Sequence, residues 1–278
     1  MKHLISISII ILIVSVFFSP LWINQKVALN GNFLVSFYAP WKFDTFTGYP
    51  AGVPAKQGGG YDQIRIGFPY FAQVWDAWRH LRIPLWNPYN FSGLPLLAET
   101  QSAAFYPLQF FAFFLPDAAL WNIFVVSGFF LAFLFTYLFL HEVTDTELGS
   151  LLGGFTFAFS SFFIVWTQEV IMAQHAALWL PLALLAIRKL CKNKSWWIIL
   201  LLAFVLSILS GYMQVTIYVV ATCVLYSFWL KREGGKITVS NVLVCIGLAL
   251  SLTAFQLLPL YEMNSYSSRN IVDTKSFL

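Results

Sequence analysis

Residues 118–140 read AALWNIFVVSGFFLAFLFTYLFL, a run of 23 residues without a charged side chain. At about 1.5 Å of rise per residue, a helix of this length crosses a hydrocarbon layer of roughly 30 Å. A backbone placed in lipid has to satisfy its own N–H and C=O groups, so the run predicts a membrane-spanning helix and not a buried strand. Similar apolar runs lie on both sides of it, at Leu4–Trp22, Leu148–Trp166, Ile171–Ile187, Trp196–Ser210, Val215–Leu230 and Val239–Leu258. The chain is 59% hydrophobic and only 10% charged, with 29 phenylalanines in 278 residues, more apolar material than a water-soluble core of this size buries. These features predict an all-α polytopic membrane protein with about seven transmembrane helices. Leu4–Trp22 is long for a signal-peptide core, and Ser19-Pro20-Leu21-Trp22 is a poor cleavage site, so it reads as a retained first helix. Gly211-Tyr212-Met213-Gln214 separates two spans and predicts a tight hairpin.

Basic residues set the expected orientation. Arg188, Lys189, Lys192 and Lys194 follow the fourth span and Lys231, Arg232 and Lys236 follow the sixth, which places both loops and the amino terminus on the cytoplasmic side. The net charge of +4 then reflects topology and gives no reason to expect nucleic acid. Cys191, Cys223 and Cys245 fall in a cytoplasmic loop or within spans, so no external disulfide framework is expected. No metal-type Cys/His spacing stands out on the cytoplasmic side. The expected division is a first helix over 1–23, an extracytoplasmic loop over 24–117, a six-helix bundle over 118–260 and the start of an outer segment over 261–278.

The first loop is too long for a connector and too poor in aliphatic residues for an independent core, so it is expected to lie on the bilayer. Phe68–Arg82 has the spacing of an amphipathic interfacial helix, with Phe68, Phe71, Val74, Trp75 and Trp78 on one side and Pro69 tolerated in the first turn. Tryptophans so placed suit the headgroup layer. Ala103–Phe114 is a second apolar stretch, too short to cross, expected to dock at the interface.

Chemistry concentrates outside the bundle. Asp44, Asp62, Asp76, Glu99, Asp117, Glu169, Glu262 and Asp273 are expected on the outer side, and no carboxylate falls in the middle of a span. An ion-coupled carrier normally needs ionisable groups at membrane depth. Surface carboxylates suit glycosyl transfer from a sugar carried on a lipid phosphate, because the phosphate leaves as an anion and a single general base suffices. Nucleotide sugars are cytosolic, so an outward site implies a polyprenyl-phosphate-sugar donor and a glycan, glycolipid or protein acceptor. Guanidinium groups pair phosphate oxygens in bidentate fashion, which makes Arg65, Arg79, Arg82 and Arg269 donor-phosphate candidates; attraction to anionic lipid headgroups is the competing reading for Arg79 and Arg82, and Arg65, three residues from Asp62, is the first choice. A divalent cation, Mg or Mn, is a further candidate for the phosphate. A lipid-linked sugar flippase and a non-catalytic scaffold are the competing classes.

Tyr61-Asp62-Gln63 with Phe68-Pro69, then Ile83-Pro84-Leu85-Trp86-Asn87-Pro88-Tyr89, Ser92-Gly93-Leu94-Pro95, Ala98-Glu99-Thr100-Gln101-Ser102, Phe105-Tyr106-Pro107, and finally Gln256-Leu257-Leu258-Pro259 with Glu262 and Ser268-Arg269 occur in one order along the chain. In these stretches the sequence resembles the YfhO-like bacterial membrane proteins, which are similar to the GT-C class of polyprenyl-phosphate-dependent glycosyltransferases. The resemblance implies a catalytic aspartate in the first outer loop, two juxtamembrane helices and a donor groove open to the outer leaflet. Asp62 best matches the aspartate, with Asp44 as rival. Glu99, Glu169, His175 and Glu262 are candidates to line the site, with helix capping the competing reading for Glu99. Gly211-Tyr212-Met213-Gln214 departs from the Gly-His-Pro-Gln-like turn of relatives. Relatives are also longer, so the chain is expected to be the amino-terminal portion of a larger protein.

Overall fold

Ile10, Val14 and Phe18 recur every four residues, which puts them on one helical face, and all three are buried. Ile10 and Val14 belong to α1 (Lys2–Phe17), and Phe18 caps the short α2 (Ser19–Ile23), which has Pro20 in its first turn, where no amide hydrogen is needed. The computed structural model describes residues 2–46, 49–50, 52–53, 62–90, 92–234 and 239–266.

The first loop carries α3 (Gly31–Phe37), a 3-10 turn at Trp41–Phe43, a π-helical turn at Gln63–Gly67 and α4 (Phe68–Arg79). A two-stranded hairpin follows, β1 (Trp86–Asn87) pairing antiparallel with β2 (Leu94–Pro95). The amphipathic helix expected from the sequence is present, but its apolar side faces protein. Phe71, Val74 and Trp75 are completely buried, and Phe71 packs edge-on against Trp121. Trp75 Nε1 donates to Gln109 Oε1 at 2.6 Å, and Trp78 Nε1 donates to the Ala104 carbonyl at 2.9 Å. Their indole hydrogens are thus used inside the fold and not at a headgroup layer. The stretch 103–114 is not an α-helix. It forms a 3-10 segment over Pro107–Phe113, preceded by Ala103, Ala104 and Tyr106, all buried. Pro107 starts the segment, and buried Gln109 donates to the Ser102 carbonyl at 3.0 Å. The loop therefore folds onto the end of the bundle and continues its core.

The bundle contains α5 (Asp117–Thr144), α6 (Glu147–Ala158), α7 (Ser161–Glu169), α8 (Ile171–Ala177), α9 (Trp179–Leu190), α10 (Trp197–Leu209), α11 (Met213–Arg232), α12 (Val239–Leu252) and α13 (Ala254–Ser265). Each expected span coincides with helix, yet among the described residues only four stretches are long and apolar enough to cross a membrane: Asp117–Thr144, Glu147–Glu169, Ile171–Leu190 and Met213–Arg232. The pair Val239–Leu252 and Ala254–Ser265 adds a fifth if it is one span, but it bends by 74°. Thr253 sits at that bend and turns its hydroxyl back to the Ala249 carbonyl at 2.8 Å, a bond that weakens helix continuity. His3–Phe17 and Lys194–Leu209 are shorter apolar helices. Large side chains stay exposed around the bundle, among them Leu148, Leu152, Ile217, Leu225 and Val244, as expected of surfaces solvated by lipid. The chain is a multi-pass, all-α membrane protein.

Candidate functional site

Asp62 is exposed and immediately precedes the π-helical turn that leads into α4. Its neighbour Gln63 does the opposite and is buried, accepting the Asn30 N–H at 2.8 Å and donating to the Thr167 carbonyl at 3.0 Å. The loop is thereby held against the end of α7, and a π turn places Asp62 and Gln63 differently from a regular helix. Asp62 lines a small cleft with Phe71, Gln101, Glu169 and Met172, whose free space of about 10 Å³ is close to what one water requires. Asp62 and Glu169 are thus brought to one place. Glu169 is the last residue of α7, and Val170 breaks the chain there before α8 begins.

The Gly211 turn packs against the segment that carries Gln101. Gly211 has φ +88°, a left-handed conformation that ends α10, and a Cβ there would run into the Thr100 carbonyl. Thr100 Oγ1 donates to the Gly211 carbonyl at 2.8 Å, which fastens the 99–103 segment to the turn. Burial, and after it the negative charge of Asp62, pushes the Tyr212 hydroxyl above its ordinary pKa. Tyr212 also stands on the wall of an apolar groove of about 290 Å³ between α7, α9 and α11, together with Phe162, Trp166, Leu180 and Val219. One side chain therefore meets both the field of a carboxylate and an apolar groove.

Glu99 lies two residues from Gln101 and is half-buried. Burial raises its carboxyl above the usual carboxylate range, and the Gln101 backbone N–H partly offsets this. The expected helix is limited to a three-residue 3-10 turn, Thr100–Ser102. Tyr70 on α4 is raised too, by burial first and then by the charge of Glu99.

The remaining candidates are dispersed. Asp44 is exposed after the Trp41–Phe43 turn and is not among the residues lining the Asp62 cleft. Arg65 is exposed at the π turn, and among the described residues no ion pair reaches it. Arg79 and Arg82 are committed to protein carboxylates rather than to headgroups alone: Arg79 pairs with Asp117 at 2.6 Å and also donates to the Ala112 carbonyl at 2.9 Å, and Arg82 pairs with Asp76 at 3.1 Å. His175 is fully buried, with Nδ1 3.1 Å from the Tyr106 hydroxyl and Nε2 2.9 Å from the Phe124 carbonyl. Both ring nitrogens are occupied, so His175 supports the docked loop and does not line the cleft. Glu262 is exposed on α13, and Arg269 lies outside the described residues. Gln63, Gln101 and Tyr212 went unremarked as site residues, although all three fall within motifs or turns that the sequence marks.

Comparison with curated proteins and with solved structures finds no match. The family model described as "Bacterial membrane protein YfhO" matches residues 100–278, a range that includes Gln101, Glu169 and Tyr212 and begins after Asp62. That range is more than half of the chain, and the protein belongs to the YfhO family of bacterial membrane proteins.

Proposed function

We propose that the chain is a module of a GT-C-like membrane glycosyltransferase that moves a sugar from a polyprenyl-phosphate donor to an envelope glycan, glycolipid or protein acceptor on the extracytoplasmic face. One observation carries this reading: Tyr212 borders an apolar groove suited to an isoprenoid tail and feels the charge of Asp62. A lipid-linked donor requires that junction, since its tail is insoluble in water and its reacting carbon has to meet a base. Asp62 accepts the proton of the acceptor hydroxyl, the oxygen attacks the anomeric carbon, and the bond from that carbon to the phosphate oxygen breaks to release polyprenyl phosphate. The cleft itself is too small for a sugar, so the donor and acceptor meet over the exposed side of Asp62. In this reading Arg65, exposed at the same π turn, pairs the phosphate oxygens, with Arg269 as the second cation.

Asp62 and Glu169, which line one cleft, are hard oxygen donors of the kind a Mg or Mn ion takes, and they are the residues that would hold such an ion. Bound there, such an ion would neutralise charge on the departing phosphate. The test is complementation of a strain lacking the full-length protein, read by mass spectrometry of envelope glycans. Asp62→Asn is expected to express normally and to lose the glycan modification. Retention of the modification would remove Asp62 from the reaction, and movement of lipid-linked sugar without a new glycosidic bond would indicate a flippase.

A further inference from the structure

At the far end of α5 from Arg79 and Asp117, three helices bring together side chains that are distant in sequence. His3 comes from α1, His141 from α5 and Glu147 from α6, and one potential ligand atom from each lies within 4.8 Å of the others. About 24 residues of helix, roughly 36 Å, separate this cluster from the Asp117 end. The sequence suggested no metal-type spacing here because the ligands converge only after folding.

From this arrangement we infer a binding site for one divalent transition-metal ion of the zinc class, with His3, His141 and Glu147 as its protein ligands. Two imidazoles and one carboxylate are a donor set that zinc accepts with a fourth position left for water. Oxygen-seeking ions such as Mg and Ca favour all-oxygen shells instead. The spacing suits the ion as well. His141 Nε2 and Glu147 Oε1 are 3.3 Å apart, about the separation of two ligand atoms on a tetrahedral ion with bonds near 2.0 Å.

Surrounding groups hold the ligands in position. Glu147 Oε2 accepts from Ser6 Oγ at 2.7 Å and from the Tyr137 hydroxyl at 2.8 Å, so Oε1 is the oxygen left for a cation. Tyr137 has one hydrogen and gives it to Glu147, so at the 2.9 Å contact between His3 Nδ1 and the Tyr137 oxygen the imidazole is the donor. His3 Nε2 then carries a bare lone pair. A histidine whose second nitrogen donates to a fixed acceptor is the usual setting of a metal ligand. His3 and His141 also border an open cavity of about 520 Å³, which supplies water to the fourth position and an entry path. The carboxylate next to it, Glu142, is already engaged by Lys189 at 2.8 Å and Lys192 at 3.0 Å.

The experiment uses the full chain, purified without a polyhistidine tag, stripped with EDTA and titrated with CoCl₂, with ZnCl₂ as competitor. Visible ligand-field absorption saturating at one cobalt per chain, and displaced by zinc, is expected. Tyr137→Phe, which removes only the orienting partner, is expected to weaken binding by about 10–100-fold, and His3→Ala and His141→Ala, which remove ligands, by more than that. His80→Ala, an exposed histidine elsewhere, should leave binding unchanged. A thermal melt of His3→Ala without metal checks that the variant folds. Absence of the band, or a band that survives both histidine substitutions, overturns the site. A mere ion-pair latch would show as His141→Ala lowering Tm equally with and without zinc, and that result also overturns it. None of these readouts depends on glycosyl transfer.

Discussion

Replacing Gly211 by alanine tests whether the first loop is locked to the bundle at the Tyr212 turn. At φ +88° an alanine is strained by about 1–2 kcal/mol. Its Cβ would also be driven into the Thr100 carbonyl, with the Thr100 carbonyl carbon only 2.6 Å away, and both are backbone atoms that cannot swing aside. Either the turn distorts, at about 1–3 kcal/mol for an overpacked contact, or the 99–103 segment lifts and forfeits the Thr100 to Gly211 hydrogen bond, about 1 kcal/mol, together with the burial of Ser102 and Ala103. Gly211→Ala should therefore destabilise the protein by about 3 kcal/mol, a fall in Tm on the order of 5–10 °C for a chain of this size. Thr100→Val removes the hydroxyl alone and should cost about 1 kcal/mol. Melting in detergent measures both effects, and amide hydrogen exchange over residues 99–106 locates them. If Gly211→Ala melts like the parent and exchange in that segment is unchanged, the loop is not docked there, and the argument joining Tyr212 to Asp62 fails with it.

Three further outcomes follow from the same contacts. Gln63→Leu strands the Asn30 N–H and the Thr167 carbonyl, so a loss of about 2–3 kcal/mol is expected, with faster amide exchange at residues 62–67. Trp75→Phe keeps most of the ring packing but leaves Gln109 Oε1 buried without its donor, which should lower stability by about 1–3 kcal/mol in a denaturant titration. Glu99 has a folded pKa raised by burial, so between the unfolded and folded values the native state holds more proton and stability falls as pH rises. Glu99→Gln should accordingly raise Tm at neutral pH, with the gain shrinking toward acid pH as the parent carboxyl becomes protonated in both states; a gain independent of pH would contradict the assignment.

The helices were the most legible part of the chain because lipid imposes a composition that can be read locally. Ala118–Leu140 needs no tertiary information to be recognised, and α5 extends only a few residues beyond it. Phe68–Arg82 was legible as a helix for the same reason, since periodicity reports a face. Periodicity does not report what the face meets. Trp75 is compatible with a headgroup layer or with a protein interior, and the decision came from Gln109, 34 residues later, whose side chain takes the indole hydrogen. The last span read as continuous because hydropathy is blind to direction, whereas Thr253 and the 74° bend divide it.

The candidate site was legible in its carboxylate and much less so in its surroundings. Asp62 stands out because charge is scarce in this sequence, but the residues that give it context come from four separate segments: Gln63 beside it, Gln101 in the loop, Glu169 at the α7 break and Tyr212 at the Gly211 turn. His175 shows the converse error. An imidazole near the end of a span suggests chemistry, yet Tyr106 and Phe124 occupy both of its nitrogens and make it part of the joint between loop and bundle. The two ends of α5 obey one rule. In a chain with so few polar side chains, each folds into a role set by neighbours far away in sequence: Arg79 is drawn to Asp117 at one end, and His141 to Glu147 and His3 at the other. A scarce polar residue in a membrane protein is therefore better judged by which partners fold toward it than by its own identity, and that criterion is why the proposed function rests on Asp62, which shares a cleft with Glu169.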